Sequence, residues 1–424
     1  QPSLPEPEFP TLVLAALATC APAPSTFAPV ASPLPQSAAD ADAGSAETDD
    51  YFHSKREARE AGLRWLAAFQ DDDGRWDCDA FAKAAKSDGA GKDSDDAFWN
   101  DEWLERDPVR GKGDRAKRAR TAEGGHPNHD IGVSGLALLA LMADGSTRTK
   151  GLHAETIGRG LDWLRGQQDA ESGLIGQRVG HYFVYDHGIA SLALVEALSF
   201  ETSKEAREAA QNAMNFIARA RNPYGVWRYE VPPNGDNDTS VSTWMTLATV
   251  AGKEAGLKVD REALISAINW FDEMTDPGTG RCGYTETGST SSRVPGQNDQ
   301  FPTDVSETLT AAALLCRIEI GQQPRENQVM ISHVRLLLRS LPDAPPEQID
   351  AALWILYGMR ATSRLGGRPW SRWQETFVPT IVRSQAKDGP AAGSWDPTDA
   401  WGFSMGRVGT TALMAWTLAS IDGR

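Results

Sequence analysis

GLRWLAAFQDDDGRW, residues 62–76, decides the fold, because degraded copies of it recur along the chain. GLDWLRGQQDAESGLI (160–175) keeps the Trp-Leu, the Gln and the Gly and ends in Ile175. AMNFIARARNPYGVW (213–227) keeps an aromatic, Gly225 and Trp227, with Arg221 in the place of the Gln. AINWFDEMTDPGTGRC (267–282) keeps Trp270 and Gly280, and SQAKDGPAAGSW (384–395) keeps Gln385, Gly393 and Trp395. The copies end at 76, 175, 227, 282 and 395, so the steps are 99, 52, 55 and 113. The last step reads as two repeats and the first as one repeat plus an insertion. A period in the low fifties marks stacked supersecondary units.

Each copy is followed by a segment rich in Ala, Leu and small residues on nearly every side: 130–143, 187–198, 238–251, 304–320, 349–359 and 407–420. Helices of that composition are buried all round. The preceding segments carry one apolar stripe and a charged face, and they predict outer helices over 54–70, 154–168, 204–220, 260–275, 326–341 and 370–385. Asp130, Asp238 and Asp304 stand at inner-helix starts, where a carboxylate can cap free amides and meet the positive end of the helix dipole. Six amphipathic helices around six apolar ones bury their faces by closing into an all-α (α/α)6 toroid. An open solenoid would need polar capping repeats, and the last repeat is as apolar as the others.

The pattern aromatic-Leu-x-x-x-Gln-x(3–4)-Gly-x-Trp resembles the QW repeat of squalene–hopene cyclases and of protein-prenyltransferase β subunits, over roughly residues 54–421. It also resembles exported, uncharacterised single-toroid proteins with such repeats. The resemblance implies the toroid; in that family the Gln and Trp brace helix ends and are not catalytic.

The chain has 424 residues, 40% of them hydrophobic, enough for one large core or two medium ones. A net charge of −16 argues against nucleic acid, whose phosphates need basic patches. No apolar run is long enough to predict a transmembrane segment. The chain opens on Gln1 rather than Met, which leads us to expect an exported protein, periplasmic or extracellular, in its mature form after removal of a signal peptide. Cys316 falls inside an inner helix and reads as a small hydrophobe; Cys78 and Cys282 lie in loops, where export would permit a disulfide of unassigned connectivity.

Two stretches stand apart from the repeats. Residues 1–48 are Pro- and Ala-rich and free of Lys and Arg, and they read as an extended arm in front of a toroid spanning 49–424. The apolar part of the arm, with Phe9, Leu12, Val13, Leu14 and Leu17, is the expected contact for another copy of the chain. An insertion at about 77–128 is charged and Gly-rich and reads as a solvated loop.

Loops entering the inner helices gather at one mouth of a toroid, and three functional readings follow. A class II terpene cyclase needs a desolvated acid facing an apolar substrate. Asp93-Ser94-Asp95-Asp96 has the DxDD pattern but falls in the insertion, whereas Asp236, Asp238 and Asp130 are better placed as candidate catalytic acids. The resemblance to prenyltransferases implies a zinc site of Asp, Cys and His, for which Cys78, Asp79, His126, His129 and His187 have the ligand types; the chain reads Asp-Cys-Asp where that family has Asp-x-Cys. Otherwise no cofactor is expected. In the third reading the toroid is an exported structural or interaction protein that self-associates through its arm into a ring, filament or surface assembly. The sequence favours this third reading. A terpene-cyclase-like or prenyltransferase-like enzyme is the alternative, as is a protein binding an apolar small molecule in a cavity lined by Trp244, Trp354 and Trp416.

Overall fold

The computed structural model describes residues 41–79, 81, 125–291, 301–304 and 306–421, with side chains from residue 54 onward, Phe403 excepted. The arm residues Phe9, Leu12, Val13, Leu14 and Leu17, the Asp93–Asp96 pattern and most of the insertion lie outside the described residues. The chain divides into two units, Gln1–Asp49 and Asp50–Arg424, and the second carries the repeats.

The outer helices are α1 (Ala41–Ala68, counted in the second unit from Asp50), α3 (Ala154–Gly166), α5 (Lys204–Ala220), α7 (Arg261–Glu273), α9 (Gln328–Arg339) and α11 (Gly367–Ser384). The inner helices are α2 (Asp130–Ala143), α4 (Phe183–Glu196), α6 (Thr239–Glu254), α8 (Thr308–Ile320), α10 (Ala352–Leu365) and α12 (Gly402–Ile421). Among the described residues these twelve α-helices alternate outer and inner, and no strand occurs. Each inner helix packs on the next, α2 on α4, α4 on α6 and so on to α10 on α12, and α12 returns to α2. The inner layer is therefore a closed ring, an α/α toroid. None of the helices is long and apolar enough to cross a membrane.

The repeated motif sets this geometry through a fixed set of hydrogen bonds. Gln70 Nε2 donates to the carbonyl of Gly74 and to that of Thr156 on the next outer helix. Gln168 does the same to Gly173 and Ala209, and Gln385 to Gly393 and Ala58. The last of these ties the final repeat to α1. Trp65 Nε1 adds a second tie across that join, to the carbonyl of Pro390. Arg221 takes over the Gln role toward Gly225. In the fourth copy His333 supplies the bond from α9, its Nδ1 2.9 Å from the Gly280 carbonyl.

The motif glycine is required on two counts. Gly74 has φ of 99° and Gly393 of 95°, left-handed values that disfavour any side chain. A Cβ at Gly74 would also sit 2.5 Å from the Arg159 carbonyl of the next outer helix, and one at Gly393 2.9 Å from that of Ala61. The closing Trp is wholly buried, and its indole N–H returns to the outer helix: Trp76 to Leu66, Trp227 to Ile217, Trp395 to Ile381. Its backbone N–H is taken by an inner-helix hydroxyl, from Ser134, Ser242 and Thr411 respectively. In the two copies that lack the Trp, His187 and Thr310 fill the same place for Ile175 and Cys282.

Several boundaries differ from expectation. Helix α4 begins at Phe183 rather than 187, which places Asp186 and His187 inside the helix. Helix α8 begins at Thr308, so the exposed Asp304 is not its cap. Glu307 stands there instead, with Oε1 2.6 Å from Arg281 Nη2 and Oε2 accepting from Thr310. Asp130 accepts the N–H of Cys78 rather than capping α2, whereas Asp238 does cap α6, its Oδ1 2.8 Å from the Val241 nitrogen. Cys78, Cys282 and Cys316 are all buried free thiols.

Gly358, in the middle of α10, faces the buried ring of Trp373 on α11, and an added Cβ would overlap that ring. Gly→Ala inside a helix ordinarily adds about 1 kcal/mol of stability. Here overpacking reverses the sign, and Gly358→Ala is expected to destabilise the protein by about 1–3 kcal/mol. A raised melting temperature in that variant would show instead that α11 can back away.

Candidate active site at the mouth of the toroid

The N-terminal ends of α2, α4 and α6 bring three buried carboxyls to one side of the mouth: Asp130, Asp186 and Asp238. Asp238 is fully buried at the start of α6. Its Oδ1 accepts from Val241 N and, at 3.0 Å, from Ser240 Oγ. Tyr185 of α4 extends this chain, its hydroxyl 2.6 Å from Ser240 Oγ. On the other side Tyr284 OH lies 3.5 Å from Oδ2 and is itself hydrogen-bonded to Tyr229 OH. Three tyrosine hydroxyls thus converge on one buried carboxyl. Burial, only partly offset by the amide and hydroxyl donors, pushes Asp238 up to about 6.

Asp130 is held differently. Oδ1 accepts from Cys78 N at 2.9 Å and Oδ2 faces Arg75 Nη1 at 3.2 Å. Desolvation outweighs both and raises it to about 7. Asp186 lies 3.4 Å from His129 Nδ1, and a Cβ at Gly132 would run into its Oδ1. Burial raises this carboxyl too, against the pull of His129. Asp236 remains at the exposed rim. Of the three acids the sequence singled out, two occupy the same place in their repeats: Asp130 and Asp238 each stand four residues before the hydroxyl that takes the Trp N–H.

The five residues expected to offer metal ligands do not come together. His187 is buried in the wall between α4 and α5, its Nδ1 accepting from Ile175 N and its Nε2 3.3 Å from the Ala213 carbonyl. Cys78 donates its thiol to the Ser404 carbonyl and accepts from His126 N, and burial pushes it well above the usual thiol range, unlike a metal-bound thiolate. Asp79 donates its N–H to Asp77 Oδ1. His126 and His129 meet edge to face, and His129 is turned to Asp186. Among the described residues no group of three or more His, Cys, Asp or Glu is disposed to hold a metal ion, so this donor set does not fit zinc.

Two further charged residues near the starts of α10 and α12 have structural partners. Asp399 accepts from Ala352 N, Trp401 N and Gly402 N at the starts of α10 and α12, and Arg407 donates to Ser394 and pairs with Asp396. In the interior, Trp244 of α6 and Trp416 of α12, from opposite sides of the ring, lie 6.4 Å apart, with Tyr357 of α10 5.6 Å from Trp244. Trp354 does not join them. It packs outward, edge-on to Trp373 and Phe377 of α11, because its side chain lies on the face of α10 turned to the outer layer.

The tyrosines and Arg228 escaped sequence reading, although a signal was there. Tyr229 and Tyr284 each follow the last residue of a motif copy by two, and Cys78 stands in the same register after Trp76. That position turns toward the mouth.

A solved structure of a type II terpene cyclase from Scytonema, in complex with its substrate geranylgeranyl dihydroxybenzoate, superimposes on this chain with a TM-score of 0.50. The match covers 88% of this chain and 98% of that one at 14% identity. The two chains share the α/α-toroid fold. At that identity the likeness speaks for architecture alone. No protein-family profile and no curated protein matches the sequence. In this cyclase-like toroid Asp238 opens the inner helix that also carries Trp244, six residues and so about 9 Å further along the axis.

Proposed function

We propose that the protein is an enzyme that protonates the alkene of an apolar substrate held in the toroid, with Asp238 as the acid. The observation that carries this reading is the carboxyl itself: fully buried, raised to about 6, and approached by the hydroxyls of Tyr185, Tyr229 and Tyr284 through short chains. A neutral carboxylic acid in a dry site is what proton transfer to a carbon–carbon double bond requires. The proton forms a new C–H bond and leaves a cation on the neighbouring carbon. Closure by a second alkene and loss of a proton to a base complete an isomerisation that consumes no oxidant. The rings of Trp244 and Tyr357 are suited to a passing cation, while Trp416 already carries the Arg360 guanidinium 4.6 Å from its centroid. The Scytonema neighbour, a terpene cyclase bound to a geranylgeranyl compound, makes polyprenyl chains the first substrates to try.

A second reading keeps the toroid as a scaffold without catalysis, including the exported assembly the sequence favoured. The shared repeat position of Asp130 and Asp238, the one braced to the Cys78 loop and the other capping its own helix, speaks for it. Asp238→Asn separates the two. Asn caps a helix as well as Asp does, so the variant is expected to melt within a few degrees of wild type while losing at least 100-fold in cyclised product from a polyprenyl substrate, assayed by gas chromatography. Undiminished turnover, or a wild-type protein that converts no alkene, returns the chain to the scaffold reading.

A further inference from the structure

Arg228, directly after the third motif copy, makes no hydrogen bond among the described residues, whereas four other arginines near the motif copies do. Arg75 bonds Asp71 and Asp130, Arg221 bonds Asp260 and Gly225, Arg281 bonds Glu307, and Arg407 bonds Ser394. Arg228 instead lies over the Tyr229 ring, 5.2 Å from its centroid, and 6.0 Å from that of Tyr284. Its Nε is 3.7 Å from Asp238 Oδ2 and its Nη1 is 3.8 Å from Asp236 Oδ2, both beyond hydrogen-bond reach. The Nε is buried and has no acceptor. The side chain as a whole is 30% exposed, so the guanidinium edge reaches the mouth.

A guanidinium offers five N–H donors in a rigid plane that matches the oxygens of a carboxylate or phosphate. Leaving a buried donor unmade is costly, and an aromatic stack fixes the plane without using any donor. We propose that Arg228 anchors an anionic head group, carboxylate or phosphate, on the apolar substrate of this site. The inference rests on the alkene-protonating reading of Asp238. An incoming anion competes with Asp236, an exposed partner whose pairing contributes little, and with the looser 3.7 Å approach to Asp238.

The anchor also links substrate binding to the acid. Asp238 faces Arg228, the hydroxyls of Tyr284 and, through Ser240, of Tyr185, with Tyr229 and Asp236 beyond. Of these, Arg228 alone carries a positive charge. A head group that draws the guanidinium away removes the one charge favouring the carboxylate, and Asp238 then holds its proton more tightly. By linkage the head group binds more tightly as the pH falls. The substrate arms the acid that acts on it.

The test compares three probes with the same chain, farnesol, farnesoate and farnesyl diphosphate, with benzoate and pyrophosphate as heads without a chain. Binding is measured by calorimetry at pH 6 on wild type and Arg228→Gln. Because Arg228 makes no hydrogen bond among the described residues, the variant is expected to keep the wild-type melting temperature. Wild type is expected to bind farnesoate and farnesyl diphosphate at least tenfold more tightly than farnesol, and the variant to bind all three alike. Equal binding by wild type, or a preference that survives the substitution, overturns the anchor and leaves the acid reading standing. If no chain binds yet benzoate or pyrophosphate does, and only to wild type, the anchor holds and the alkene reading falls. If nothing binds, both fall.

Discussion

Trp227→Ala is expected to lower the stability of the protein by about 3–5 kcal/mol, read as a shift in the midpoint of urea unfolding. The indole is wholly buried and fills the space between α5 and α6. Truncation leaves a cavity that rigid helices on both sides cannot close, and it orphans the Ile217 carbonyl that received the indole N–H at 2.8 Å. Trp227→Phe keeps most of the ring volume and loses that bond, so about 1–2 kcal/mol is expected. Trp76 and Trp395 make the same bond in their own copies and should respond in kind. A loss below 1 kcal/mol for Trp227→Ala would mean that the motif is vestigial here and that the inner ring stands without it.

The double variant Asp130→Asn/Asp238→Asn is expected to lose about 6 kcal/mol more than wild type between pH 7 and pH 4. Burial holds His187 down at about 3 and His333 at about 4. Their unfolded forms take up a proton near 6.5 while the folded forms do not, so stability falls as the pH drops through 6.5. Over the interval to pH 4 the two histidines together remove about 6 kcal/mol. The two carboxyls work the other way. Folded Asp130 and Asp238 gain protons near 7 and 6, well above the unfolded value near 3.9, so the fold becomes more stable as the pH falls through their range. They return about 6 kcal/mol over the same interval. Wild type is thus largely compensated in these four groups, and the variant is not. Urea midpoints at pH 7 and pH 4 decide it; parallel profiles for the two proteins would remove the titration of both carboxyls from the account.

The toroid was legible because its hydrogen bonds repeat. Gln70, Gln168 and Gln385 mark the same junction three times, and each junction needs its own residues, so the pattern survives in the chain. The fifth repeat shows the limit: without the motif Gln or Trp, only the apolar stripe of α9 and the apolar α10 betray it. The site was half legible. Asp130 and Asp238 announce themselves as carboxylates at helix starts, but Tyr185 on α4 and Tyr284 in the following loop are brought to Asp238 by ring curvature, which the chain does not spell out. His187 misled for a related reason. A histidine at an expected helix start looks available, whereas one turn inside α4 it does the work a serine does in the other copies.

The bond from Gln385 to Ala58 joins residues 327 positions apart. An open solenoid gains stability repeat by repeat and tolerates the loss of its last one. A ring sealed by its own first and last helices has no such partial solution: until α12 reaches α2, the first helix pair presents a bare apolar flank. Long-range closure of this kind slows folding, and it leaves an incomplete chain with a sticky edge. During synthesis that edge stays open until the final helix is made, so the protein spends its whole elongation as a molecule in want of a cover.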